Sequence, residues 1–154
     1  MFSQLFPQRA DNTYRGHKVA LWIFCLVALL NGLIGFQSTF NTREVATSAD
    51  GIPLDTFSLA ATQTVLSLFA LLGVSRIVIL LICAVIFFRY RSLVPLMLVV
   101  LLLSQLASRV VHYYLPSPIT GNPPGPTVIL SILGLTALAF GLSLWKREQG
   151  ESRV

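Results

Sequence analysis

Four long apolar stretches constrain what this chain can fold into more than any other feature does. They cover residues 19–40, 57–88, 93–111 and 126–145. The hydrocarbon core of a bilayer is about 30 Å thick and a helix rises about 1.5 Å per residue, so about 20 apolar residues cross it. Because lipid offers no hydrogen-bond partners, a crossing segment satisfies its backbone groups as a helix. We therefore expect an all-α integral membrane protein whose four transmembrane helices form an antiparallel bundle.

Composition and charge agree with a membrane environment. The 154 residues are 55% hydrophobic and only 11% charged, with a mean hydropathy of +0.76. Soluble domains carry about 25% charged residues. We expect a single four-span domain with tails at 1–18 and 146–154. Most of the basic residues behind the net charge of +5 lie in short flanking segments, which offer no surface for nucleic acid. We therefore expect the lipid bilayer as the partner and do not expect nucleic-acid binding.

The positions of lysine and arginine predict the orientation. Segments retained in the cytoplasm are enriched in these residues. Most of them fall at one end of the predicted bundle: Arg9, Arg15, Lys18, Arg89, Arg91, Lys146, Arg147 and Arg153. The opposite end holds Arg43 and Arg109 together with Glu44, Asp50 and Asp55. We predict that both termini are cytoplasmic (N-in/C-in) and that the location is the bacterial inner membrane.

The second apolar stretch is longer than a bilayer requires. Counting back about 20 residues from Phe88 reaches Phe69, which leaves residues 57–68 beyond the hydrocarbon. This predicts an outward-extended second helix, with Asp55 and Thr56 as its N-cap residues. The outer loop at 115–126 contains five prolines and two glycines, so we expect an ordered turn and a fourth helix that begins at Pro126.

A single arginine, Arg76, interrupts the apolar run LLGVSRIVILL. It lies about 20 Å from the cytoplasmic edge by the rise per residue, and Asn31, Gln105 and Ser131 fall at about the same depth. A charge at the centre of a span costs about 2.5–3.5 kcal/mol on insertion scales. We therefore expect Arg76 to face the bundle interior, where it either snorkels and hydrogen-bonds to Asn31 and Gln105, binds a ligand or contacts a partner.

The third stretch carries polar residues on one helical face. Four of them follow the spacing i, i+3, i+4, i+7. The predicted ligand-binding residues on spans one to three are Asn31, Arg76, Gln105, Ser108, Arg109 and His112. The counter-charge for Arg76 has to come from the first outer loop (Glu44, Asp50 or Asp55), a lipid phosphate, a bound anion or a partner subunit.

Motifs for catalysis and metal binding are missing from the sequence. Cys25 and Cys83 lie in apolar runs without metal-ligand spacing. His17 and His112 fall at opposite membrane edges and cannot share one haem. We expect no catalytic residue, no metal and no cofactor.

Glycines recur at helix-packing intervals on two spans. Gly32 and Gly35 lie on the first span, and Gly134 and Gly141 lie on the fourth. Such residues let helix backbones approach closely. They predict packing within the chain or against a partner subunit or a second copy.

Three functions are compatible with these features. The preferred one is a non-enzymatic membrane protein that binds a small amphiphile, a lipid headgroup or an anion in an outward-facing polar cavity around Arg76. The alternative is an accessory or structural subunit of a larger membrane complex. The third is a lipid-phase enzyme with His112 as base and Arg109 or Arg76 as the anion-binding group.

Overall fold

The computed structural model describes residues 11, 12, 14, 16–116, 119 and 121–145. Most of the two predicted tails, 1–18 and 146–154, and residues 117, 118 and 120 of the proline-rich loop lie outside the described residues. All regular structure in the described part of the chain is helical.

Four long helices make up the bundle. They are α1 (Lys18–Phe40), α2 (Leu59–Arg89), α3 (Val94–Tyr114) and α4 (Gly125–Leu144). Each is long and apolar enough to cross a membrane by length and composition. This confirms the prediction of an all-helical integral membrane protein with four candidate spans.

The helix termini differ from the predicted ones by a few residues, for local reasons. Asp55 and Thr56 do not cap α2, because they belong to a short 3-10 turn at Leu54–Thr56. The cap is Ser58, whose hydroxyl accepts a hydrogen bond from the Ala61 N–H at 3.3 Å. α4 begins at Gly125, one residue before Pro126, which occupies the first turn where a missing N–H costs nothing.

The helices pack in the order α2, α1, α4, α3, and α2 and α3 hardly contact each other. The tightest crossing joins α1 to α2. A Cβ atom added at Gly35 would lie 2.7 Å from the Arg76 Cβ and 2.9 Å from the Gly73 carbonyl oxygen. A side chain at Gly32 would overlap Leu80. Glycine on both helices therefore sets the distance between their backbones.

The two ends of the bundle are built differently. We call the end with the 3-10 turn Arg91–Leu93 the turn end; there the Ser92 N–H donates to the Asp11 carbonyl at 3.3 Å. The other end, the loop end, holds residues 41–58 and the start of α4. Most of the buried apolar core lies toward the turn end: Phe24, Val27, Ala28, Cys83, Ile86, Val94, Met97, Leu98, Leu101, Ile132 and Ala139. Beyond Leu101, most residues of α3 are exposed.

The segment between α1 and α2 folds over the loop end. A π-helical turn, Val45–Ala49, leads to Asp50, and Gly51 then reverses the chain with a φ of 69° that favours glycine. Leu54 is buried, and its carbonyl accepts a hydrogen bond from the Thr62 hydroxyl at 3.4 Å. The 31 residues of α2 span about 46 Å, and this segment packs against its first turns.

The glycine crossing gives a direct stability prediction. Gly35→Ala should destabilise the protein by about 1–3 kcal/mol, because the neighbouring atoms are backbone or Cβ atoms that cannot swing away. Thermal denaturation of the purified protein in detergent measures the change. Gly134→Ala is the matched control, because that position has nothing within 4 Å and the added methyl favours the helix. Equal effects of the two substitutions would contradict the assignment of Gly35 to a close crossing.

Candidate functional site

Arg76 lies on the side of α2 that packs against α1. Its Cβ is next to Gly35, and its side chain is half-buried. Within the described residues its guanidinium makes no hydrogen bond and no direct ion pair. A guanidinium carries five N–H donors, so this group is under-satisfied for its depth in an apolar span.

Asp50 is the carboxylate that the fold brings toward Arg76. It is half-buried at the end of the π-helical turn, where its own N–H donates to the Val45 carbonyl at 3.0 Å. Burial raises the pKa of the Asp50 carboxyl above its usual range, while the nearby positive charges of Arg76 and His112 oppose that rise. The carboxylate therefore interacts electrostatically with α2 and with α3, without direct ion-pair contact to either within the described part of the chain.

The first residue of α4 also meets Asp50. A Cβ at Gly125 would lie 2.5 Å from the Asp50 Oδ1 and 2.5 Å from the Ala49 carbonyl oxygen. Only glycine permits this approach, and a carboxylate near a helix N-terminus is favoured by the helix dipole. Asp50 thus packs against the start of α4 and interacts electrostatically with one residue each of α2 and α3.

The other acids of the segment are oriented elsewhere. Asp55 pairs with Arg43 at 3.4 Å, and the two side chains are 90% and 66% exposed. An ion pair this exposed contributes little to stability. Glu44 is exposed as well. Of the three loop carboxylates predicted as counter-charges, Asp50 is the one in the electrostatic neighbourhood of Arg76.

Gln105 and Arg109 join α3 to α4 instead of reaching Arg76. The Gln105 side-chain amide donates to the Thr136 hydroxyl at 3.2 Å, and the Arg109 Nη2 donates to the Pro126 carbonyl at 2.9 Å. Inter-helix hydrogen bonds of this kind contribute about 0.6 kcal/mol on average in membranes. The Gln105 Oε1 and the Arg109 Nε are buried without a partner among the described residues.

The remaining polar residues of the predicted layer bond within their own helices. The Asn31 amide donates to the Val27 carbonyl at 2.9 Å, Ser108 to Ser104 at 2.9 Å and Ser131 to Thr127 at 3.0 Å. The predicted polar residues therefore do not form one hydrogen-bonded ring around Arg76 in the part of the chain that the structure describes. Of the six predicted binding residues, Arg76 and the exposed His112 are the two whose charges act on the Asp50 carboxyl.

The predicted packing glycines behave differently on the two spans. Gly32 and Gly35 are buried against α2, whereas Gly134 and Gly141 are exposed with nothing within 4 Å. The two glycines of α4 therefore lie on a face that no other described residue covers.

The sequence left three loop carboxylates, Glu44, Asp50 and Asp55, as possible counter-charges for Arg76. The signal that distinguishes Asp50 is the Asp50-Gly51 pair, because an Asp-Gly dipeptide marks a sharp reversal of the chain. Here the reversal turns Asp50 toward the bundle, while Asp55 follows on the exposed side.

A depression of about 480 Å³ lies far from this cluster, at the turn end. Asn12, Phe88, Arg89 and Tyr90 line it. Arg89 is 13 residues along α2 from Arg76, or about 20 Å by the helical rise. This depression is therefore separate from the space around Arg76.

The described residues contain no group of His, Cys, Asp and Glu suited to a metal ion. No protein-family model matches the chain, and neither the curated proteins nor the solved structures searched include a match. The class is therefore defined by the fold alone: a small integral, multi-pass membrane protein with four candidate spans.

Proposed function

We propose that this protein is a non-enzymatic membrane protein that binds the anionic part of a lipid headgroup, a small amphiphile or a free anion beside Arg76, in a cavity that faces outward. The observation that carries the proposal is the Arg76 guanidinium, half-buried in an apolar helix without a hydrogen bond among the described residues. Removing a charged donor from water without a partner is costly. An anionic group would supply the missing acceptors.

The packing of the helices supports access to this position. α2 and α3 are neighbours in sequence but hardly contact each other, since α1 and α4 pack between them. The half of α3 toward the loop end is mostly exposed. A lipid or amphiphile could therefore approach from the side of the bundle as well as from the loop end.

The proposed architecture is an antiparallel bundle with an outward-extended α2, both termini in the cytoplasm and the loop end outside, in a bacterial inner membrane. Two contacts support the antiparallel arrangement of α1 and α4: the His17–Leu142 backbone hydrogen bond at 3.4 Å at the turn end, and the approach of Asp50 to Gly125 at the loop end. Green fluorescent protein fused to either terminus should fluoresce, because it matures in the cytoplasm. A dark but expressed fusion at either terminus would overturn this orientation.

Replacing the arginine tests the binding proposal. Arg76→Gln keeps a polar side chain but removes the charge, so phospholipid should raise the melting temperature of the variant less than that of the unaltered protein. Charged hydrogen bonds contribute about 1.5–3 kcal/mol, so the affinity should fall about tenfold or more. The measurement is thermal denaturation in neutral detergent across added phospholipid and inorganic phosphate.

The matched control is Arg43→Gln, which removes an exposed arginine of the same end. It should leave the lipid response unchanged. If Arg76→Gln and Arg43→Gln behave alike, Arg76 does not bind the ligand and the proposal fails.

A second candidate function is an accessory subunit or a homo-oligomer, favoured by the uncovered face of α4. Gly134 and Gly141 lie there in open space, and exposed glycines permit close approach by another helix. Purification in mild detergent should then yield a complex that Gly134→Leu dissociates. A monodisperse monomer would exclude this function. In the lipid-phase enzyme hypothesis, the hydrogen bond from Arg109 to the Pro126 carbonyl leaves Arg76 as the better candidate for the anion-binding group.

A further inference from the structure

The depression at the turn end is separate from the site of the proposed function and carries unused polar groups of its own. Its volume of about 480 Å³ lies within the range of about 300–1,000 Å³ that ligand pockets have, and Asn12, Phe88, Arg89 and Tyr90 line it. We propose that it binds the phosphodiester of an anionic phospholipid, with the Arg89 guanidinium on the phosphate.

Two distant segments of the chain build the depression. Residues 88–90, at the end of α2, form one wall, and Asn12, which precedes α1, forms the other. The neighbouring Asp11 N–H donates to the Ser92 hydroxyl at 3.0 Å, and the Ser92 N–H donates to the Asp11 carbonyl at 3.3 Å. These hydrogen bonds hold Asn12 beside the end of α2, so the depression is a product of the tertiary fold.

The polar side chains of the lining have no partner in the part of the chain that the structure describes. The exposed Arg89 guanidinium makes no hydrogen bond and no ion pair there, and the Asn12 amide and the Tyr90 hydroxyl make no hydrogen bond. A guanidinium presents its N–H donors in a planar fork that matches two phosphate oxygens. Asn12 and Tyr90 can donate to the remaining phosphate oxygen or to a headgroup hydroxyl.

Arg91 is the contrasting arginine of the same end. Its Nε donates to the Phe87 carbonyl at 3.0 Å, and its Cζ lies 5.6 Å from the centre of the Phe87 ring. The Arg91 guanidinium is thus held against α2, whereas Arg89 lines the depression. The turn end therefore has one arginine that is engaged within the fold and one that is available to a ligand.

The lining is apolar on one side, which favours a lipid over a soluble phosphodiester. Phe88 is 72% exposed, and it lies near the end of a helix that is long and apolar enough to cross a membrane. Aromatic side chains at the ends of spans lie at the level of the lipid headgroups. Phe88 can pack against the glycerol backbone and the first acyl carbons of a lipid whose phosphate contacts Arg89.

The charge of the lining favours an anionic headgroup over a zwitterionic one. The described lining residues include one cation and no acid. The quaternary ammonium of a choline headgroup would find no carboxylate there and would be repelled by Arg89. A glycerol headgroup instead offers hydroxyl groups to Asn12 and Tyr90.

The experiment compares two phospholipids with identical acyl chains, one with a glycerol headgroup and one with a choline headgroup. Native mass spectrometry of the full chain in neutral detergent measures the affinity of each lipid. We expect the glycerol lipid to bind about tenfold more tightly, because its headgroup adds hydrogen bonds and brings no repelling ammonium. Equal binding of the two lipids by the unaltered protein would overturn the proposal.

Arg89→Gln should lower the affinity for the glycerol lipid about tenfold or more, because hydrogen bonds to a charged group are strong. Arg89 is exposed, so the melting temperature without lipid should not change. Arg91→Gln is the matched control, since it removes the same charge from the same end but a guanidinium that is already engaged. It should weaken binding much less. Equal losses in the two variants would show that net charge alone attracts the lipid, which would refute the site.

The Arg76→Gln background separates this site from that of the proposed function. The preference for the glycerol lipid should persist in that background and disappear when Arg89→Gln is added. If Arg76→Gln alone removes the preference, the lipid binds beside Arg76, and the turn-end proposal fails while the proposed function stands. Glycerophosphoglycerol, which has no acyl chains, identifies the source of the phosphodiester. Much weaker binding than that of the lipid supports a membrane lipid, and equally tight binding overturns that assignment.

Discussion

The close crossing of α1 and α2 at Gly35 and Gly73 is the contact on which the rest of the arrangement depends. Backbone atoms of one helix lie where side chains of an ordinary pair would be, so the crossing fixes the separation and rotation of both helices. The rotation of α2 decides the direction in which Arg76 leaves the helix. With a larger residue at Gly35, the helices would separate and the guanidinium would be placed differently.

The position of Asp50 follows from a second close approach, between the 41–58 segment and the start of α4. Gly125 has no side chain to hold that segment away, and Gly51 reverses the chain just after the acid. As a result, Asp50 lies against the bundle, while Asp55 remains on the surface and pairs with Arg43. The charge of Asp50 acts on Arg76, but the two side chains form no ion pair within the described part of the chain.

The two ends of the bundle differ in how closely they are packed. Toward the turn end, side chains such as Phe24 and Leu98 are fully buried in a core to which all four helices contribute. Toward the loop end, hydrogen bonds from Gln105 and Arg109 join α3 to α4, while α2 packs mainly against α1.

The sequence by itself determined the four apolar helices, because the length and hydropathy of a segment decide locally whether it can cross a membrane. It also singled out Arg76, since a charge in such a segment always needs an explanation. Only the tertiary structure decided that Asp50 is the nearby carboxylate and that Gln105 binds Thr136. Depth along a span follows from counting residues, but rotation about the helix axis and the path of a loop depend on contacts between distant segments. For that reason Asn31 and Arg76, which residue counting places at the same depth, do not hydrogen-bond to each other.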